Sequence, residues 1–254
     1  MKTALVCIAR DEDNYIDEWI DYNLKIGFDK IFVFANEWEY LSSNPSVEVI
    51  PHESQQYKLN MQRDAYNKAI SVLNGVYDWV AFFDVDEYIC LKKHSNIKDF
   101  IKEFYPHRPN AIAVNWVFYG DNGLTEVDVD YSLLKRFTKR QEVSDRHIKV
   151  ILNLRRNHCF QDTHPHSTNL EWMDQSFKTG MGPFNPGGCI DIAQINHYWC
   201  KTIQEYMDRK LPMGKDWGPY LSRKEIDFHN HNHNEIEDTI ARDFYFSHSP
   251  TDKN

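Results

Sequence analysis

Apolar positions in the first ninety residues recur in two alternating rhythms. Thr3 to Ala9, Lys30 to Ala35 and Tyr77 to Phe83 are apolar runs of strand length, and Val47 to Ile50 is a shorter one closed by Pro51. Such runs, bounded by turn formers, read as buried strands. Between them, Asp13 to Ile26 sets Ile16, Trp19, Ile20 and Leu24 at helical spacing, with acids in its first turn and Gly27 as its stop. Lys58 to Leu73 repeats that spacing with Leu59, Ala65, Ala69, Ile70 and Leu73. Strand and helix in alternation predict an α/β fold with a mostly parallel sheet and helices on both faces.

Beyond Tyr88 the rhythm loosens. A short helix is expected over Asn96 to Tyr105, strands over Ala111 to Phe118, His147 to Leu154 and Ile190 to His197, and a helix over Thr202 to Leu211. Gly120 to Asp130 reads as a polar loop. Asn157 to Gly188 carries three prolines and four glycines with little periodicity, and irregular segments of that length are usually lids or binding loops. The expected organisation is one catalytic domain over 1–226, with a nucleotide-binding half (1–105) and an acceptor-binding half (106–226). A polar, loosely held tail over 227–254 follows, in which His229, His231 and His233 alternate with Asn.

Composition narrows the classes. A chain of 254 residues can bury a core of ordinary size. The five cysteines, Cys7, Cys90, Cys159, Cys189 and Cys200, are odd in number and lack CxxC spacing, which argues against a disulfide framework or structural zinc and for a reducing cytoplasm. A formal net charge of −9 disfavours nucleic acid as a partner. The apolar run that opens the chain is too short for a signal peptide, and no stretch approaches a membrane span, so a soluble protein is expected. An aromatic content of 14% leaves room for peripheral membrane contact.

The sharpest chemical signal is Trp79-Val80-Ala81-Phe82-Phe83 running into Asp84, Asp86 and Glu87. Acids at a strand's carboxyl end project from the sheet edge where open α/β folds bind ligands. In an extended chain Asp84 and Asp86 point to the same side, two oxygen donors suited to Mg²⁺ or Mn²⁺ and through it to a diphosphate. His197, at the end of a later strand, is a candidate third ligand, and Lys201 a candidate diphosphate contact at a helix start. The tips of the first two strands, Arg10-Asp11-Glu12 and Asn36-Glu37, belong at the same edge and are candidate nucleoside contacts, with Gln62 and Arg63 near the start of the second helix as further ones. His164-Pro165-His166, after Asp162, is a weaker candidate for a metal or substrate pocket. Serine nucleophile elbows, P-loops and GxGxxG are absent.

The order LVCIARDEDNYIDEWIDYNLKIGFDKIFVFAN, QRDAYNKAI, YDWVAFFDVDEY, HIKVILNLRR, HPHS, INHYWCKT resembles the family-2-like glycosyltransferases related to family 92, over residues 3 to about 210. The most specific pieces are the EWxxYxxxxG spacing from Glu18 to Gly27 and the DVDEY block. The resemblance implies a glycosyltransferase A-type fold with a Rossmann-like central sheet, a UDP-sugar donor carrying galactose or glucose, and Mn²⁺ (or Mg²⁺) held at the DXD motif. By the same resemblance Asp86 is the principal metal ligand, Asp84 binds ribose and reaches the metal through water, Arg10 and Glu12 lie near base and ribose, and His197 meets metal or diphosphate. Transfer in such enzymes is generally inverting, onto a saccharide or lipid-linked glycan. A base is then required, for which Asp162, Glu171 and Asp191 are the candidates, in that order. The implied setting is assembly of surface polysaccharide, capsule or lipopolysaccharide, at the inner face of a bacterial membrane.

Two other classes share parts of this signature. Phosphatases of the haloacid dehalogenase type also run an apolar strand into DxD, but their motif opens the chain and Thr or Val follows the second Asp. Here the motif ends the fourth strand and Glu87 follows. A nucleotide-sugar-binding module without catalysis would keep the motif and lack an essential acceptor-side carboxylate.

Overall fold

The computed structural model describes residues 1–53, 61–127, 130–161, 168–213 and 222–247. The first ninety residues form β1 (Thr3–Ala9), α1 (Ile16–Lys25), β2 (Lys30–Asn36), β3 (Val47–His52), α2 (Met61–Leu73) and β4 (Trp79–Phe82). Strands β4, β1, β2 and β3 are neighbours in that order and all parallel. Pro51 sits within β3 rather than ending it, opposite Ala35 on the edge strand, where proline is tolerated.

Why these runs are continuous and not alternating is clear from their burial. On β1, Leu5, Cys7 and Ala9 face one hydrophobic cluster, while Ala4 and Val6 face another. Helix α1 covers the first face with Ile16, Trp19 and Ile20, and α2 covers the second with Ala65, Tyr66, Ala69, Ile70 and Leu73. Each fully buried aliphatic or aromatic side chain contributes about 2 kcal/mol by leaving water.

The remaining strands widen the sheet. β5 (Glu87–Leu91) follows β4 at once, then α3 (Ile97–Glu103), whose first turn is capped by the Asn96 side chain accepting from the Asp99 amide at 3.0 Å. β6 (Ala111–Phe118) precedes α4 (Leu133–Arg136) and β7 (Lys139–Arg140). β8 (Ile148–Asn153) runs antiparallel between β4 and β6, so its first residues arrive at the edge where β4 and β6 end. β9 (Trp172–Met173) and β10 (Thr179–Gly180) extend the far side, and β11 (Ala193–His197) pairs parallel with β6 and antiparallel with β5. The two expected halves, 1–105 and 106–226, therefore share one sheet through β4 with β8 and β5 with β11.

The helix expected over Thr202 to Leu211 is composite: α5 (Ile203–Glu205), a π-helical turn (Tyr206–Lys210) and α6 (Leu211–Met213). The expected loose tail is a correction. α7 (Glu225–His231) buries Phe228, β12 (Ile236–Glu237) pairs with β7, and α8 (Ile240–Ser247) packs Ala241 and Phe244 onto the main core. Asp238 accepts from Arg140 Nε at 2.6 Å with both groups buried. Gly120 makes this docking possible, because a Cβ there would stand 2.4 Å from the His233 carbonyl oxygen. His229 and His231 are helical, and the His231 ring lies tilted against Trp199 with centroids 4.4 Å apart. No described helix is long and apolar enough to cross a membrane.

Candidate functional site

The carboxyl ends of β1, β2, β4, β6 and β11 and the start of β8 meet at one edge. The DVDE segment is a tight turn there, not an extended strand end. The Glu87 amide donates to the Asp84 carbonyl at 3.0 Å, and the Asp84 amide donates back to Glu87 Oε2 at 2.8 Å. This overturns the expectation that Asp84 and Asp86 alternate along a strand, and it gives them different partners.

Asp84 is tied to the protein. Its Oδ1 accepts from Gln62 Nε2 at 2.8 Å and from the Tyr66 hydroxyl at 3.3 Å, and its Oδ2 accepts from Lys149 at 2.9 Å. Lys149 also reaches Glu87 Oε2 at 2.9 Å, and Lys149 and Glu87 are 1% and 0% exposed at the side chain. Burial pushes the Glu87 carboxyl well above its usual range, with Asp84 and Asp86 adding to the rise and Lys149 opposing it. For Lys149, the two carboxylates outweigh burial and raise it.

Asp86 faces a different set. Its Oδ1 is 3.6 Å from His197 Nε2, and its Oδ2 accepts from Lys210 at 2.9 Å. Burial alone would raise this carboxyl, but Lys210 and His197 hold it well below the usual range. Burial lowers His197 to about 4 against the pull of Asp86, so its imidazole is neutral near pH 7 and able to act as a ligand. Its ring lies against Phe118 at 5.2 Å and Trp116 at 4.4 Å. The Glu87 Oε1 atom is buried, makes no hydrogen bond, and lies 4.0 Å from the same Nε2.

These donors suit a hard divalent cation. Asp86 and His197 would hold it, with phosphate oxygens and water completing the shell; the carboxylate suits Mg²⁺ or Mn²⁺, and the imidazole is the donor that a transition ion such as Mn²⁺ accepts more readily. Among the described residues, no three of His, Cys, Asp and Glu form a ready-made metal cage. Both Asp84 oxygens accept from protein donors, Oδ1 from Gln62 and Tyr66 and Oδ2 from Lys149.

The other sequence-predicted residues separate into three groups. Arg10 pairs with Glu37 at 3.1 Å across the tips of β1 and β2. Asn36, the last residue of β2, is buried with its Oδ1 lacking a hydrogen-bond partner. Glu12 meets Arg209 at 3.3 Å, and its carboxyl is raised by burial against the pull of Lys201 and Arg209. Lys201 is buried with its ammonium 4.5 Å over the Tyr15 ring. These belong to the edge. Arg63 instead pairs with its neighbour Asp64 at 3.1 Å. Glu171 and Asp191 lie at the opposite edge, because Trp172 is in register with Ala111 at the start of β6 and Asp191 precedes the start of β11. Seven residues of strand, about 23 Å, separate Ala111 from Phe118 at the site. Both therefore fall outside the assembled cluster. Asp162, His164 and His166 lie outside the described residues.

Three features escaped the sequence reading. Lys149 had a signal, a lone cation within the apolar run Ile148 to Leu152. Lys210 had none. The third is a dyad at the start of β8, where His147 Nδ1 meets Asp145 Oδ1 at 2.5 Å and the His147 ring stacks on Trp116 at 4.8 Å. Trp116 thus lies between His147 and His197.

The profile of glycosyltransferase family 92 matches residues 2–244. A family 92 protein of Ricinus communis is 23% identical over 160 residues, which cover 58% of this chain and 28% of that protein. Among solved structures, residues 1–349 of TarS from S. aureus match 61% of this chain and 47% of theirs at 17% identity, with a TM-score of 0.37. A UDP complex of the same fragment matches the same shares at 14% identity and a TM-score of 0.36. The bifunctional glycosyltransferase WbbM in its apo form matches 60% of this chain and 31% of its own at 13% identity, with a TM-score of 0.30.

Proposed function

Because the chain belongs to glycosyltransferase family 92, we propose that its carboxyl edge binds a nucleotide-sugar and transfers the sugar to a glycan acceptor. The observation that carries this reading is the Asp86, His197 and Lys210 cluster, flanked by the polar tips of β1 and β2. The donor is a UDP-hexose, galactose or glucose, whose diphosphate meets a divalent cation on Asp86 and His197. The cation, Mn²⁺ or Mg²⁺, supplies charge neutralisation for the departing diphosphate. Lys201 stands close enough to add a second positive charge. The partnerless Asn36 Oδ1 and the Arg10–Glu37 pair would receive base and ribose, a reading that the unsatisfied oxygen supports.

The acceptor side needs a base. The Asp145–His147 dyad has the required form: a carboxylate on Nδ1 orients the imidazole, leaving Nε2 to accept the acceptor hydroxyl's proton. It replaces Glu171 and Asp191 in the proposed reaction, which is inverting. Saccharides and lipid-linked glycans, assembled for the cell surface at the cytoplasmic face of a membrane, are the acceptors that go with this reading, and peripheral contact with that membrane accompanies it.

Melting of the protein with UDP and Mn²⁺ tests the donor site. A rise in melting temperature that is lost in Asp86→Ala and His197→Ala is expected, and no rise with any nucleotide would remove the reading. His147→Gln is expected to keep that rise while UDP release from a panel of UDP-hexoses and sugar acceptors falls by about 10² or more.

A further inference from the structure

Three cations and two acids crowd the donor edge. Arg209 meets Glu12 at 3.3 Å and donates to the Asp11 carbonyl, Lys210 meets Asp86 at 2.9 Å, and Lys201 lies against Tyr15. The charges of Lys201, Arg209 and Lys210 all act on Glu12, so the three lie close together, and a cluster of cations suits a diphosphate.

Asp86 divides its two oxygens. One is 3.6 Å from the His197 Nε2, the pair that fits a divalent cation, and the other holds the Lys210 ammonium. An ammonium and a dication repel each other strongly on a single carboxylate in a partly buried site. Lys210 also has a second resting contact, since its Nζ lies 4.6 Å over the Trp199 ring. It is the last residue of the π-helical turn Tyr206–Lys210, a helix variant that recurs at functional sites.

We infer that Lys210 serves as the counter-cation of Asp86 in the donor-free protein and passes to the diphosphate when a divalent cation takes its place. The inference rests on the donor-site reading above. It makes Lys210 both a competitor of the free metal and a contact of the bound nucleotide. Metal and nucleotide then bind as a unit, because neither alone satisfies both Asp86 and Lys210.

Lys210→Met separates these two roles. Binding of Mn²⁺ alone, followed by its electron paramagnetic resonance signal, is expected to tighten about tenfold, while binding of UDP at saturating Mn²⁺, followed by calorimetry, weakens about tenfold. A merely structural lysine would weaken both together, and that result, or no change in either, overturns the inference. Lys210→Gln, which keeps part of the stem and a hydrogen-bond donor without the charge, is expected to show the same opposite shifts and covers the case in which the methionine variant does not fold. Wild-type protein that binds neither Mn²⁺ nor UDP would overturn the donor-site reading itself, a result distinct from equal binding by wild type and variants.

Discussion

Lys149 is the residue on which the geometry of the DVDE turn depends. It rises from the antiparallel strand β8 into a space closed by Asp84 and Glu87, and its hydrogen bonds fix both carboxylates. Lys149→Met would leave Glu87 fully buried without its cation. Breaking one side of a buried ion pair costs about 3–5 kcal/mol, so urea unfolding of the variant is expected to show a loss of that size. His158 is a second buried group with a measurable signature. Burial lowers it to about 4 while its Nε2 donates to the Asn110 carbonyl at 2.9 Å. An unfolded chain protonates the same group near 6.5, so between about 6.5 and 4 the unfolded state binds more protons and stability falls as pH falls. Unfolding midpoints measured at pH 7 and pH 5 are expected to lie closer together in His158→Gln than in wild type.

At the level of elements, the strands buried on both faces were legible and the amphipathic or charged ones were not. β1 and β6 fall on Thr3–Ala9 and Ala111–Phe118 as the apolar runs imply, because a strand in a doubly covered sheet has no polar side to interrupt it. β5 was missed because it begins on Glu87, a charge that only its tertiary partners make tolerable inside a core. The segment after Asp227 differs from expectation for a related reason: Phe228, Ile236, Ala241 and Phe244 are spaced among Asn, His and Asp, and the contacts that hold them, Cys200 and Tyr206 on Phe228, β7 on Ile236 and Tyr22 on Phe244, come from elsewhere in the chain. The site divided in the same way. Asp86 and His197 were readable as polar residues at strand ends, whereas Lys210 depends on a π-helical turn that periodicity does not announce. The clamp formed by Arg140 and Asp238 is testable as an element. Asp238→Ala, which strands a buried guanidinium, is expected to cost about 3 kcal/mol or more and to open residues 236–247 to limited proteolysis ahead of the sheet.

Across the whole molecule, one sheet edge gathers the residues proposed to meet the donor, and the profile match from residue 2 to 244 spans every described strand. The same edge also gathers backbone strain. Of the six non-glycine residues with positive φ among the described residues, Asp11 at 53°, Glu37 at 48° and Lys201 at 53° follow the ends of β1, β2 and β11. A left-handed conformation costs an ordinary L-residue about 1 kcal/mol or more, a cost that glycine avoids. Selection for persistence alone would favour glycine at such points, yet here side chains stay where they can meet a ligand. Asp11→Gly with Glu37→Gly should therefore melt no lower than wild type, by calorimetry, while its response to UDP and Mn²⁺ shrinks. These three strand tips would then be where the molecule trades durability for a grip on its substrate.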